Sequence, residues 1–387
     1  LIVNLLAILS FLHLHHVYRW ALWAKYSPTD FGDVEFEFDM TEQQLQARRE
    51  MLEARSQWKR IGGGYEGTTY AWNGHAIKTY HHPMWQLPTL RNCVPREAEQ
   101  ALVEEKERVP TRWPAEIPAS VLLAGRENGS WMGPSGFIPV TDFFFASTAQ
   151  KQPGEWHLVT PLVAGGNLLD VVGRMRVSGA FLDYRQVDEH FRPSFHRVLE
   201  TLQAMHDRGF CHDDIKADNV FVGDGDADWI LGDLGSVREV ANPFHRSRIW
   251  QNHRQRPDCR ANDAFRAVNM YLGLLRELAN DRGRFDEALF EGREPWSRLY
   301  WMAEEARSAL SASKVLQWSK TDEPADAPEH YLSEYGPRPP DIWNPFMLLL
   351  LGRDRMVRRS ADRTMGFQVS ETWERIFALT DLFGAPV

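Results

Sequence analysis

The sequence predicts an α+β fold of two lobes, a small β-rich N-terminal one and a larger, mostly helical C-terminal one. Three observations predict it. Residues 68–78, TTYAWNGHAIK, read as strand, turn and strand, with an Asn-Gly pair suited to a two-residue hairpin turn. Asp183 to Arg208 carries Phe191, Phe195, Val198, Leu199, Leu202 and Met205 at the spacing of a helix buried on one side. Further helix-like segments continue towards Val387. The 387 residues, 43% hydrophobic and 25% charged, are enough for a sizeable core, and length alone allows two or three domains or one large two-lobed one. A formal net charge of −9 gives nothing that favours nucleic-acid binding.

Residues 1–25 are an apolar segment, LIVNLLAILSFLHLHH and its continuation. The run to Leu12 is shorter than the roughly 20 residues a spanning helix needs. Extended through Trp23 it reaches that length, but His13, His15, His16 and Arg19 interrupt it. A membrane anchor, a signal-peptide remnant and a plain apolar helix all fit, the first two being preferred. The three histidines have no neighbouring partners that would make a metal site. Residues 26–56 are a linker and a leading helix, the latter signalled by Thr41 and Gln44 as a capping box.

Residues 57–160 are the first lobe. Gly62, Gly64 and Gly67 form a G-x-G-x-x-G pattern, and glycines let backbone amides approach phosphates closely. After the last glycine come strand, turn and strand ending in Lys78; a dinucleotide fold would have a helix there. Residues 96–108, REAEQALVEEKER, are helical by propensity. Residues 110–154, with apolar patches at 121–123 and 143–145, read as strands and loops. His157-Leu-Val159 is a strand that leads into the second lobe, residues 161–387. Cys93, Cys211 and Cys259 lack metal spacing and fit a reducing compartment without a disulfide framework, with Cys211 a small buried apolar residue.

The densest chemistry lies between Cys211 and Ser236. Asp214, Lys216 and Asn219 sit within six residues, and Asp233 comes 19 residues after Asp214. Between them, Asn219-Val-Phe-Val222 and Trp229-Ile-Leu231 flank a turn-rich GDGDAD, a predicted hairpin. Such a hairpin would bring Asn219 and Asp233 together, and two adjacent oxygen ligands suit a hard cation such as magnesium.

With these residues the chain resembles the eukaryotic protein kinase family, whose catalytic loop reads H-R-D-L-x-x-x-N and whose metal-binding turn reads D-F-G. Here the corresponding residues are His212-Asp213-Asp214-Ile215-Lys216-Ala217-Asp218-Asn219 and Asp233-Leu234-Gly235, while Ala76-Ile77-Lys78 matches V-A-I-K. The resemblance implies a two-lobed protein kinase-like fold using ATP and Mg2+. It implies Asp214 as catalytic base, Lys216 as a phosphate contact, and Asn219 with Asp233 as metal ligands. It implies Gly62, Gly64, Gly67 and Lys78 around the phosphates, and backbone contacts to adenine at Leu162 and Val163. Lys78 would need a glutamate from the next helix; Glu97 is preferred, with Glu99 in contention. Asp263 corresponds to the family's structural anchor of the catalytic loop. Asp258 stands where the family has the glutamate of A-P-E, with Arg359 its candidate partner.

Two departures stand out. Asp213 replaces the arginine that binds an activation-segment phosphate, and a carboxylate would repel that phosphate, so activity is expected without phosphorylation of residues 236–258. Leu234 replaces phenylalanine, a mild apolar change. The function implied is an ATP- and Mg-dependent protein kinase acting on Ser/Thr hydroxyls, Lys216 favouring these over tyrosine. The alternatives are a pseudokinase scaffold that binds nucleotide or a partner, and a kinase-like enzyme phosphorylating a small molecule or lipid. The expected partners are ATP and a protein substrate. The catalytic domain is expected in the cytoplasm, with membrane association through residues 1–23 left open.

Overall fold

The computed structural model describes residues 2–32, 41–64, 66–80, 93–95, 112–124, 136–146, 154–179, 183–223, 228–253, 255–321, 349, 352–366 and 375–377. The chain forms two compact units. The first comprises Leu1–Val163, Asp233–Ile249 and Glu371–Val387; the second comprises Ala164–Gly232 and Trp250–Ser370. The architecture is α+β, with an antiparallel sheet in the first unit and a mostly helical second unit.

The first unit opens with helix α1 (Ile2–Lys25) and helix α2 (Glu42–Glu53), whose capping box joins Thr41 and Gln44. Its sheet contains β1 (Lys59–Gly63), β2 (Gly67–Trp72) and β3 (His75–Tyr80). A short pair, β4 (Cys93–Pro95) and β5 (Arg112–Pro114), precedes helix α3 (Glu116–Ala124). Strands β6 (Asp142–Ala146) and β7 (Glu155–Pro161) complete the sheet in the order β1-β2-β3-β7-β6. Asn73 (φ 45°) and Gly74 (φ 77°) both take positive φ, as a two-residue hairpin turn with the right-handed twist of its strands requires. The register sets Lys78 opposite Thr69 on β2 and Leu158 on β7. Ile77, Val159 and Phe144 pack with Met51 and Trp58 in one buried cluster. Trp58 donates its indole N–H to the Met51 carbonyl, and Arg48 of α2 pairs with Asp142 at 2.9 Å.

Within residues 110–154, β5 and β6 are strands as expected, while helix α3 corrects the expectation of strands and loops at residues 116–124. Eight of its nine residues are buried, Glu116 among them. A helix buried on nearly every side has no polar stripe, so its apolar run carries no 3.6-residue signal. The helix expected over residues 96–108 lies outside the described residues.

The second unit contains α4 (Leu168–Val177), α5 (Tyr184–Asp207), β8 (Phe210–Cys211) and the hairpin of β9 (Val220–Val222) and β10 (Trp229–Leu231). Strand β11 (Arg238–Glu239) belongs to the first unit, and helix α6 (Arg248–Asn252) carries the chain back into the second. There α7 (Cys259–Leu278) is followed by α8 (Arg282–Glu291), α9 (Pro295–Ala306), α10 (Ala312–Ser319) and α11 (Arg353–Met365). The apolar face predicted for α5 is buried, Phe195 lying flat on Tyr271 of α7 at 4.3 Å between ring centroids. Phe285 stacks on Trp296 at 4.2 Å in the same way. Asp188 of α5 accepts the Tyr271 hydroxyl at 2.6 Å and pairs with Arg192.

A disulfide joins Cys211 and Cys259, with 6.0 Å between their Cα atoms. This corrects the expectation of three unlinked cysteines. Both residues are buried, so the apolar reading of Cys211 captured its environment but not its bond. Spacing alone could not reveal the pair, because the two cysteines are 48 positions apart and meet through the packing of β8 against α7.

Candidate functional site

Side chains alternate across a strand, so on β3 Lys78 and Tyr80 share one face while Ile77 and Thr79 share the other. Lys78 and Tyr80 converge on α3. The Lys78 ammonium lies 2.5 Å from Glu116 Oε2, and the Tyr80 hydroxyl donates to the same oxygen at 2.6 Å. Lys78 also reaches Asp233 Oδ1 at 2.9 Å. Asp233 sits in the left-handed region (φ 52°), which a non-glycine residue adopts only when its surroundings hold it there. Residues 234–236 form a short turn against α3, and Leu234 is buried. Among the described residues, the glutamate that Lys78 meets is Glu116 of α3; Glu97 and Glu99, expected to hold it, lie outside the described residues.

Burial raises the Glu116 carboxyl above the usual range, and Lys78 draws it part of the way back. Burial alone would lower Lys78, but Glu116 and Asp233 outweigh it and hold the ammonium above the ordinary lysine range. The Tyr80 phenol is pushed well above its usual value, first by burial and then by Glu116, so it stays a hydrogen-bond donor. Glu66 is pushed up to about 7, chiefly by burial, with Lys78 opposing and Glu116 and Asp233 adding to the rise. Its Oε2 stands 3.3 Å from where a Cβ on Gly235 would be.

The three glycines of the pattern are not equivalent. A Cβ on Gly67 would meet the Thr79 carbonyl oxygen at 2.1 Å, so the approach of β2 to β3 there admits only glycine. Gly64 meets nothing within 4 Å and donates its N–H to the Gly67 carbonyl at 2.9 Å; a Cβ on Gly62 would make only a 4.0 Å contact with Thr69. At the end of β7, Leu162 gives its N–H to the Gly74 carbonyl at 2.8 Å.

In the second unit, the loop 212–219 hangs from Asp263 of α7. This buried carboxylate accepts the backbone N–H of His212 at 2.6 Å and of Asp213 at 2.9 Å, and faces His206 Nε2 at 3.2 Å. The disulfide ties the strand just before the loop to the first turn of the same helix. Asp213 takes φ 63°. Arg266, three residues beyond Asp263, donates to the Asp213 carbonyl and to Gln255 Oε1 at 3.0 Å, and its guanidinium is 3.9 Å from Asp214 Oδ1.

Asp214, Lys216 and Asn219 meet at one carboxylate oxygen. Asp214 Oδ2 accepts Lys216 Nζ at 2.8 Å and Asn219 Nδ2 at 3.1 Å. Asn219 Nδ2 also donates to the Asp214 carbonyl at 2.9 Å, which turns the amide oxygen away from the aspartate. The hairpin keeps Asn219 in place, since Gly232 N–H donates to the Asn219 carbonyl at 2.9 Å. Asn219 belongs to the second unit and Asp233 to the first.

Asp258 caps the start of α7 and pairs with Arg260 at 2.8 Å, not with Arg359 as expected. A carboxylate at a helix N-cap reaches the backbone and side chain two residues on before anything distant. Glu116, Tyr80, Glu66 and Arg266 were not selected from the sequence. Tyr80 had an available signal, its i+2 relation to Lys78.

No family model matches the chain. Over 101 residues, 25% of its length, it is 29% identical to "Serine/threonine-protein kinase 16" of Mus musculus, and equally to the protein of that name from Rattus norvegicus. The match spans about a third of the length of these relatives, 32%. Over that quarter of its length, the chain is distantly similar to a serine/threonine-protein kinase.

Proposed function

We propose that the protein is an ATP- and Mg-dependent kinase that transfers the γ-phosphate to a Ser/Thr hydroxyl. The observation that carries this reading is Lys78, fixed between Glu116 and Asp233 on the second strand of a glycine-led hairpin. A lysine so held keeps its charge and its position, which is what neutralising a polyphosphate requires. Gly67 allows the hairpin its close backbone approach. Leu162 has committed its N–H to the sheet, so the adenine donor in this reading is the amide of Val163.

Asp214 is the base. It is partly exposed, and Lys216 and Asn219 fix its orientation, so it can accept the proton of an attacking hydroxyl. Lys216 offsets negative charge on the transferred group. Each residue type by itself suits magnesium: Asp233 of the first unit has a 41% exposed carboxylate, and Asn219 of the second has an amide oxygen. When bound, magnesium neutralises phosphate charge. The distant similarity to a serine/threonine-protein kinase supports the same class of reaction.

The test is ATP turnover by the whole chain with magnesium and a generic Ser/Thr protein substrate, with product identified by mass spectrometry. Asp214→Asn and Lys78→Met should each lower turnover roughly a hundredfold or more. Undiminished turnover in Asp214→Asn would refute the assignment. Magnesium-dependent nucleotide binding without turnover in the wild type would point to a scaffold.

A further inference from the structure

The proposed phosphotransfer leaves α1 without a role. Residues 2–12 are exposed throughout, with Ile2 at 74%, Val3 at 77%, Leu6 at 58% and Leu9 at 53%. At 100° per residue, Val3, Leu6, Ile8, Leu9, Phe11 and Leu12 fall on every side of the helix, so it is apolar all round. A protein groove, or a second copy pairing as a coiled coil, covers one stripe of a helix and would leave the opposite side wet. Hydrocarbon surrounds it.

The charge pattern points to the same occupant. No Asp, Glu, Lys or Arg occurs before Arg19. Then Tyr18, Arg19, Trp20, Trp23, Lys25 and Tyr26 gather aromatic rings and cations, the set found where a helix leaves hydrocarbon for headgroups. Trp20 and Trp23 lie edge to face at 5.4 Å and remain exposed. Below them the helix is rooted in its own unit. Ala21, Leu22 and Ala24 are buried, Arg238 donates to the Lys25 carbonyl at 3.2 Å, and Thr29 donates to the Val237 carbonyl at 3.1 Å. No helix among the described residues is long and apolar enough to cross a membrane.

We infer that α1 inserts its apolar residues 2–12 into the hydrocarbon of a lipid bilayer, with Trp20, Trp23, Arg19 and Lys25 at the headgroup level. This does not rest on the proposed phosphotransfer. The chain carries a net charge of −9, so insertion and not overall charge attraction holds it there, and binding should survive high salt.

The experiment is flotation of the whole chain with phosphatidylcholine vesicles, with and without a minor fraction of phosphatidylserine, at low and high salt. The wild type should float with both and persist in high salt. The double variant Leu5→Glu, Leu9→Glu should lower the bound fraction more than tenfold, and Trp20→Ala with Trp23→Ala should weaken it several-fold. All four positions are exposed, so matching thermal melts would show that the variants still fold. Failure of the wild type to float would overturn the inference, as would equal flotation by the Leu5→Glu, Leu9→Glu variant. Binding abolished by salt would overturn it in favour of electrostatic attachment. A dimer in light scattering that Leu5→Glu, Leu9→Glu dissociates, without vesicle binding, would assign α1 to a second copy of the chain.

Discussion

Tyr80 donates its hydroxyl to Glu116 at 2.6 Å, on the same oxygen that Lys78 holds at 2.5 Å. Two residues on one face of β3 therefore aim a single carboxylate of α3. Hydrogen bonds to charged groups contribute roughly 1.5–3 kcal/mol when buried. Tyr80→Phe should lower stability by about that much in urea unfolding. It should also lower ATP turnover several-fold, with Glu116 less firmly placed. Unchanged rates beside a lowered stability would make Tyr80 structural only.

The assignment of Glu116 separates from the alternatives by substitution. Glu116→Gln leaves Lys78 with Asp233 among the described residues, and turnover should fall at least about tenfold, while breaking a buried pair costs roughly 3 kcal/mol. Glu97→Gln and Glu99→Gln should behave as wild type in the same assay. A loss of turnover confined to Glu97→Gln would return the pairing to the 96–108 segment.

The disulfide predicts a thiol count. With three cysteines and one bond, denatured, unreduced protein should titrate a single thiol, Cys93. Reduction should lower stability by about 2–4 kcal/mol, since the bond closes a long loop. Differential scanning calorimetry with and without a reductant measures it. Three thiols in the unreduced protein would exclude the bond.

His157 predicts an acid-sensitive step. Burial against Phe144 and Trp58 pushes it down to about 4, with the Arg55 guanidinium adding to the shift. The unfolded chain binds a proton near 6.5, before the folded one does. The stability contribution is therefore complete above about 6.5 and is lost as pH falls towards about 4, by up to roughly 3 kcal/mol. His157→Phe should flatten the pH dependence of the urea midpoint within that window. An identical pH profile in the variant would show that the loss arises elsewhere.

Local chemistry explains what was legible in the sequence. The β2–β3 turn was, because Asn73-Gly74 fits few other conformations. The capping box, the β9–β10 hairpin and the one-sided face of α5 were, for the same reason of short range. Asp263 was found through its place in a motif. Glu116 was not, because α3 is buried on nearly every side and so reads as an apolar patch with no period. The Cys211–Cys259 bond and the reach of Arg266 to the 212–219 loop depend on α7 packing beside β8, a relation that no spacing along the chain encodes.

The first unit is assembled from stretches far apart in the chain. Thr29 beneath α1 waits for Val237, 208 residues later, and Ser27 waits for Asn242. At about 5–20 residues per second, the ribosome takes roughly 10–40 s to supply that footing. Until residues 237–242 have been made, neither of these two bonds can form, so the foot of α1 is fixed late.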